Sequence, residues 1–452
     1  MISESGQSCT WCENAHEFRL TPWENDPVCD TGGEAIYLRD EENGRFWSPM
    51  PFPCAGKHSF IVRHGFGYST FESNSFGIHS ETTVYVAAEA AVKFTVLKIK
   101  NESNCARKLS VTGYVELVLG DQRAKNMMHV ITEVDQTTGA LFARNRYNTE
   151  FHRQTVFFDA DSPNRSLTCD RLEFLGRHGE LRSPAAMRRT KLSGKIGAAL
   201  DPCFAIHVNI DLESGEEREI IFRLGCGHDV DDARSLVRCF RQPDAPRKAL
   251  DAVRSRWEDI LGKVKVETPN TALNLLTNGW LLYQTIGCRL WARCAKYQSG
   301  GAFGFRDQLQ DVLALVHSAP ELVREHLLVA AAHQFQEGDV MHWWHPPLDR
   351  GVRTHCSDDY LWLPFAVCRY VGATGDTGIL DENVPFLKGR PVKPEEDSYY
   401  DLPSRSEESA TLYEHCVRSI RHGLKFGIHG LPLIGSGDWN DGMNLVGEHG
   451  KG

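Results

Sequence analysis

Leu109, Val111, Val115, Leu117 and Leu119 alternate with Ser110, Thr112, Tyr114 and Glu116. A period of two is that of a strand with one buried face. Val92 to Ile99 is β-rich in the same manner, and Ile220 to Leu224 reads as a short apolar strand after the charged run Glu216 to Glu219. Many such runs, separated by Gly, Asn and Asp, fill residues 1–242 and predict a large antiparallel β-sandwich.

Beyond that point the period becomes helical. Pro243-Asp244-Ala245-Pro246 breaks the chain, and Arg247 to Leu261 reads as a linker helix within residues 243–265. Leu275, Leu276, Gly279, Leu282, Tyr283, Ile286 and Leu290 follow helical spacing. Pro320 starts a further helix that continues from Leu322 to Phe335. Asp358 to Tyr370 and Thr411 to Phe426 are two more, with Gly427 and Gly430 as the stop. Long helices joined by loops rich in Trp, His, Gly and Asp fit an α/α barrel over residues 266–452, with a site at one end.

Composition narrows the function. A net charge of −10 argues against a nucleic-acid or anionic-membrane surface. No stretch approaches the roughly 18 apolar residues of a membrane helix, and Met1 to Gly6 lacks the features of a signal peptide. The 14 cysteines show no repeated spacing and read as reduced thiols of a cytoplasmic protein. Cys9 and Cys12 have redox-motif spacing without a βαβ context, and Asn101-Glu-Ser103 and Asn164-Arg-Ser166 match the glycosylation sequon by coincidence.

Three loops concentrate chemistry. In the run from Tyr297 to Asp311, glycines precede Arg306, Asp307, Gln308, Gln310 and Asp311. Arg306 with Asp307 and Asp311 could form an ion-pair network at a helix start, and the two Gln add hydrogen-bonding capacity for a sugar. The structural alternative is a helix capped by its acids. The second loop runs from His342-Trp-Trp-His-Pro-Pro347 through Arg350, Arg353 and His355 to Ser357-Asp-Asp-Tyr-Leu-Trp362. Aromatic faces there suit the C–H faces of sugars, although at least one of Trp343, Trp344 and Trp362 is expected in the core. Zinc on His342 and His345 is the rival, but no third ligand has typical spacing, so no metal is expected. The third loop, Gly435-Ser-Gly-Asp-Trp-Asn-Asp-Gly-Met-Asn444, sets Asp438 and Asp441 around Trp439. An aromatic beside a carboxyl raises its pKa, as a general acid at neutral pH requires. A calcium loop fits less well, because its terminal Glu is misplaced.

Together these segments resemble glycoside hydrolase family 94 phosphorylases, and within them the phosphorylase-like region of cyclic β-1,2-glucan synthases. The resemblance runs across essentially the whole chain. Arg19-Leu-Thr-Pro-Trp-Glu-Asn-Asp-Pro27 and Glu34-Ala-Ile-Tyr-Leu-Arg-Asp40 carry it first, followed by FGFRDQLQD, HWWHPP, SDDYLWLP, TLYEHC and GSGDWNDGMN. Each is weak alone, and all in this order are specific. The resemblance implies a β-sandwich, a helical linker and a six-fold α/α barrel. It also implies inverting phosphorolysis, in which phosphate attacks the anomeric carbon of a terminal β-glucosyl unit and α-glucose 1-phosphate leaves. One protein carboxyl then suffices, since phosphate replaces the base-activated water of an inverting hydrolase. By resemblance that acid is Asp441, with Asp438 left open as the alternative. Arg306 and Asp307 fall where the family binds the glucosyl unit, Arg293 and Asp311 join them as substrate-binding candidates, and Trp439 packs beside the sugar. The implied partners are a β-glucan oligosaccharide and inorganic phosphate as co-substrate, with no other cofactor.

Gly300-Gly301 stand where cellobiose-type members carry an extra Arg, which favours the β-1,2-glucan branch. About five or six barrel helices fit in residues 266–452, where a six-fold barrel needs about twelve. The chain is therefore expected to be a piece of a longer parent, itself a candidate for the inner membrane, and to be inactive alone. Two other readings compete: a non-catalytic carbohydrate-binding remnant, and an inverting β-glucoside hydrolase whose base would be Asp307, Asp311 or Asp358, about 6.5–9.5 Å from the acid.

Overall fold

The computed structural model describes residues 1–23, 32–56, 58–162, 164–295 and 298–433. It divides into two compact units, residues 1–258 with 296–299, and residues 259–295 with 300–452.

The first unit is an antiparallel β-sandwich. Its strands are β1 (Glu34–Asp40), β2 (Phe46–Trp47), β3 (Phe60–Gly65), β4 (Tyr68–Ser75), β5 (Ile78–Val86), β6 (Val92–Asn101) and β7 (Arg107–Glu116). They continue with β8 (Val130–Val134), β9 (Leu141–Asn145), β10 (Thr155–Ala160), β11 (Arg165–Asp170), β12 (Pro202–Leu212) and β13 (Glu217–Gly227). One sheet has the order β11-β12-β7-β1-β2, the other β3-β4-β5-β6-β13-β10-β9-β8. Between them, Ile36, Val111, Phe204 and Ile206 share a core with Leu97, Phe158, Phe222 and Leu224. Phe158 stacks on Phe204 of the facing sheet at 6.2 Å and on Phe222 of its own at 5.6 Å. Gly113 of β7 leaves room for these rings, since a Cβ there would lie 2.7 Å from Phe222 and 2.9 Å from Phe158.

The expected strand at 109–119 is β7, but it is not half-buried. Ser110, Thr112 and Tyr114 are as buried as Val111 and Val115. A further layer covers that face: Tyr37 and Tyr114 pack on Phe174 of the short helix Arg171–Leu175, with Met187 and Leu192 in the same cluster. The polar groups are paired, Ser110 Oγ donating to Glu41 at 2.5 Å and Thr112 Oγ1 meeting His207 Nδ1 at 2.9 Å. Likewise, Glu217 to Glu219 do not precede β13 but form its first three positions. Glu217 lies opposite Lys100 and Glu219 opposite Lys98, so the charges are matched across strands. Asn101 is buried, its Nδ2 donating to the carbonyls of Cys105, Leu212 and Glu213 at 2.8, 3.1 and 3.1 Å. The amide of that sequon therefore serves the fold. None of the described cysteines is in a disulfide.

Helix α1 (Ala245–Leu261) begins slightly before the expected linker helix. Its Val253 and Trp257 are buried against the tip of the β3–β4 hairpin, where Gly67 has φ +82° and a Cβ would run into both side chains.

In the second unit residues 271–292 are helical throughout, alternating between α and π hydrogen bonding. Ile286 and Leu290 are buried there, whereas Leu275, Leu276 and Leu281 are exposed. Further helices are α2 (Phe305–Val312), α3 (Pro320–Ala331, with Pro320 in its first turn), α4 (Asp359–Thr374) and α5 (Leu412–Gly423). Thr411 caps α5 by accepting from the Glu414 N–H at 3.3 Å, and the helix ends three residues before the expected Phe426. Phe305, Leu309 and Val312 form the buried stripe of α2, and α4 packs on α2, α3 and α5. The connecting loops are themselves β-structured. A four-stranded antiparallel sheet has the order β14 (Phe303–Gly304), β15 (Met341–His345), β16 (Arg350–Thr354), β17 (Ser398–Asp401). A β-sandwich followed by a helical region is thus present, and no described helix is long and apolar enough to cross a membrane.

Candidate active site

The first two chemistry-bearing loops meet at the first turns of α2 and α4. Gly304 precedes α2, and the buried Gln308 accepts from its N–H at 2.5 Å while donating to the Arg289 carbonyl at 3.2 Å. Gln308 is thus a bracing group rather than the sugar ligand its sequence position offered, and Gln310 is exposed. A Cβ on Gly304 would fall on the Asp307 carboxylate, which is folded back over the helix start where the dipole favours it.

The expected network of Arg306 with Asp307 and Asp311 does not form. Arg306 and Asp311 are five residues apart, about 140° around a helix. Arg306 Nη1 instead donates to Asp358 Oδ2 at 3.2 Å, and its guanidinium lies 5.9 Å from the Trp362 ring. Asp311 pairs with Arg289 at 2.8 Å. Burial raises the Asp311 carboxyl above its ordinary value, outweighing the attraction of Arg289.

Beside Asp358, the almost fully buried Asp359 accepts from His342 Nδ1 at 2.7 Å. Burial raises the Asp359 carboxyl despite the opposing pull of His342. Cys356 Sγ donates to Asp358 Oδ1 at 3.1 Å. Ligand atoms of His342, Cys356 and Asp359 lie within 4.8 Å of one another, which makes them the metal-capable group among the described residues. His345, the zinc partner suggested by spacing, is not in that group, and its ring meets Trp343 edge-on at 5.5 Å.

Trp344 is the core tryptophan, stacked on His333 at 3.8 Å and Phe303 at 5.5 Å. Trp343 and Trp362 are half-buried. Arg293 adopts the left-handed conformation with φ 48°. Its guanidinium donates to the carbonyls of Leu290, Trp291 and Gly301 and lies 4.3 Å over Phe303. Burial lowers its pKa to about 10, so it stays charged at neutral pH while bracing the Gly300-Gly301 turn. Asp438, Trp439 and Asp441 lie outside the described residues. Sequence reasoning missed the roles of Asp359 and Cys356, although the Ser-Asp-Asp before an apolar run marked a helix start with two acids.

Residues 1–243 match the glycosyl hydrolase 94 supersandwich domain, and residues 256–452 match the catalytic domain of the glycosyl hydrolase 94 superfamily. The chain belongs to glycosyl hydrolase family 94. Over its whole length this family 94 chain is 42% identical to the cyclic beta-(1,2)-glucan synthase NdvB of Rhizobium meliloti, of which it covers 16%. Over 99% of its length it is 27% identical to the N,N'-diacetylchitobiose phosphorylase of Vibrio proteolyticus, spanning 58% of that protein. Over 43% of its length it is 26% identical to the 1,2-beta-oligoglucan phosphorylase of Listeria innocua, spanning 18% of it. The chain is thus much shorter than the curated relatives it matches.

Proposed function

We propose that this chain is part of an inverting phosphorylase acting on β-1,2-linked glucan, as a module of a cyclic β-1,2-glucan synthase or of an oligoglucan phosphorylase. The observation that carries this reading is the 42% identity to NdvB over the entire chain. In this reading the helices of residues 266–452 belong to a six-fold α/α barrel, joined to the sandwich of residues 1–242 through the linker 243–265, in the cytoplasm.

Arg306 and Asp307 hold hydroxyls of the terminal glucosyl unit. The carboxylate of Asp358 and the indole of Trp362 hold the plane of Arg306 in one orientation. Phosphate enters opposite the glycosidic oxygen. Its oxygen bonds to the anomeric carbon as the carbon–oxygen bond to the departing glucan breaks, with inversion. Asp441 gives its proton to the departing oxygen, with Asp438 as the alternative donor, and regains a proton from solvent. The products are α-glucose 1-phosphate and a glucan one unit shorter.

The test is incubation of the full-length parent that carries this chain with β-1,2-oligoglucan, with and without inorganic phosphate, followed by phosphorus and proton NMR. Phosphate-dependent α-glucose 1-phosphate supports the proposal. Glucose released without phosphate would favour the hydrolase, and saccharide binding with no release at all would favour the binding remnant.

A further inference from the structure

We propose that one face of the sheet β14–β17 binds the part of the glucan that departs on phosphorolysis, with Trp343 and Tyr400 as its stacking surfaces; this rests on the phosphorylase reading above.

Residues directly opposite in an antiparallel sheet project from the same face. Gly304 lies opposite Trp343, Trp343 opposite Val352, and Val352 opposite Tyr400, so these four positions form one row across the sheet. The neighbouring row, Phe303, Trp344, Gly351 and Asp401, projects from the other face, where Trp344 is packed into the core. The two adjacent tryptophans are thereby divided, Trp344 to the core and the half-buried Trp343 to the opposite face.

The row starts at the proposed glucosyl site. Gly304 has no side chain, and the place its Cβ would take is filled by the Asp307 carboxylate. Read along the row, the face therefore runs from the Asp307 carboxylate to the Trp343 indole and on to the Tyr400 phenol. The Trp343 and Tyr400 rings are 5.6 Å apart over Val352, and Tyr400 is 53% exposed. Arg350 lies 6.0 Å from the Tyr400 ring, and His345 stands edge-on to Trp343, adding donors at the border of the patch. Three strand spacings separate Gly304 from Tyr400, about 14 Å, room for several pyranose rings. A glucan suits this surface because each ring offers an apolar C–H face to an aromatic and equatorial hydroxyls to donors at the rim. Continuity with Asp307 favours the departing glucan over an unrelated ligand, since its first ring must lie next to the glucosyl unit being transferred.

The test measures binding of β-1,2-glucan di- to hexasaccharides by calorimetry, together with glucose 1-phosphate release, in the full-length parent that carries this chain, for the native protein and for Trp343→Ala, Tyr400→Ala and Trp343→Phe. Native affinity is expected to rise with length over the first few units. Either Ala variant should weaken the longer ligands about tenfold while changing the disaccharide less than about twofold, the scale of losing one aromatic anchor. Trp343→Phe should recover most of the loss. An unchanged length dependence in both Ala variants overturns the proposal, as does an equal loss at every length, which marks a scaffold effect. Should Trp343→Ala fail to fold, the exposed Tyr400 still decides the question. A length gain that depends on these rings without phosphate-dependent release overturns the phosphorylase reading and leaves the platform standing. Release with a flat length response overturns the platform alone, and ligands that bind at no length overturn both.

Discussion

Arg306 donates to the carboxylate of Asp358 at 3.2 Å, and this bond ties the first turn of α2 to the first turn of α4 across 52 residues of sequence. The Trp362 ring lies 5.9 Å from the same guanidinium, so Arg306 is held on an edge and near a face. A planar cation held in this way is fixed in orientation as well as position. Orientation is what recognition of a sugar hydroxyl pair requires.

In the full-length parent, Arg306→Lys should therefore lower kcat/KM for phosphate-dependent release by about 100-fold, because an ammonium keeps the charge but loses the plane. Asp358→Asn keeps an acceptor for Arg306, and its loss should stay near tenfold. Steady-state kinetics with thermal melts separates this from unfolding. Native kinetics in Arg306→Lys would remove Arg306 from the substrate site.

In the full-length parent, with the barrel complete, Asp441→Asn should remove about 10²–10⁴-fold of the phosphorolysis rate, the usual contribution of a general acid, with little change in melting temperature. Substrates with a good leaving group, which need no proton, should recover part of the rate. If Asp438→Asn shows this pattern and Asp441→Asn does not, the acid is Asp438.

What the sequence made legible follows the range of each interaction. Strand β7 and helix α3 were readable because periodicity and Pro320 are local signals. The second buried face of β7 was not, since it depends on Phe174 and Met187, which arrive from distant segments. The acids after Arg306 looked like its partners because they are close in sequence. The actual ion pairs reach to Asp358 and back to Arg289, and helical geometry turns Asp311 away from Arg306. Trp343 and Trp344 are adjacent and identical, and only strand pairing shows which of them faces the core.

Two glycines should respond oppositely to alanine. At Gly113 a Cβ would press on two stacked rings in the sandwich core. Overpacking of this kind costs about 1–3 kcal/mol. At Gly372 of α4, by contrast, no atom of the described residues outside the helix's own backbone lies within 4 Å of the added Cβ, and alanine should stabilise the helix by about 0.4–1 kcal/mol. Urea unfolding curves report both. A neutral Gly113→Ala would mean that the two sheets can part without cost at this layer.

His326 on α3 should make the protein lose stability as the pH falls below neutrality. The residue is 7% exposed, its ring lies 5.6 Å from Phe303, and its Nε2 has no hydrogen-bond partner among the described residues. Burial pushes its pKa down to about 3, with His333 and Arg293 adding repulsion against a further positive charge. In the unfolded chain a histidine titrates near 6.5. The folded state therefore refuses a proton that the unfolded state accepts. Stability from this source is complete above about pH 6.5 and is lost progressively as the pH falls towards about 3. Each unit of pH in that window is worth about 1.4 kcal/mol, so at pH 5 the loss is about 2 kcal/mol. Carboxylates titrate in the lower part of the window, so the informative quantity is the difference from His326→Leu, which keeps an apolar side chain in place and has no proton to bind. Between pH 7 and 5 the native protein should lose stability faster than the variant, by a slope approaching one proton. Parallel curves would show that His326 takes up its proton in the folded state, and hence that water reaches the ring beside Phe303.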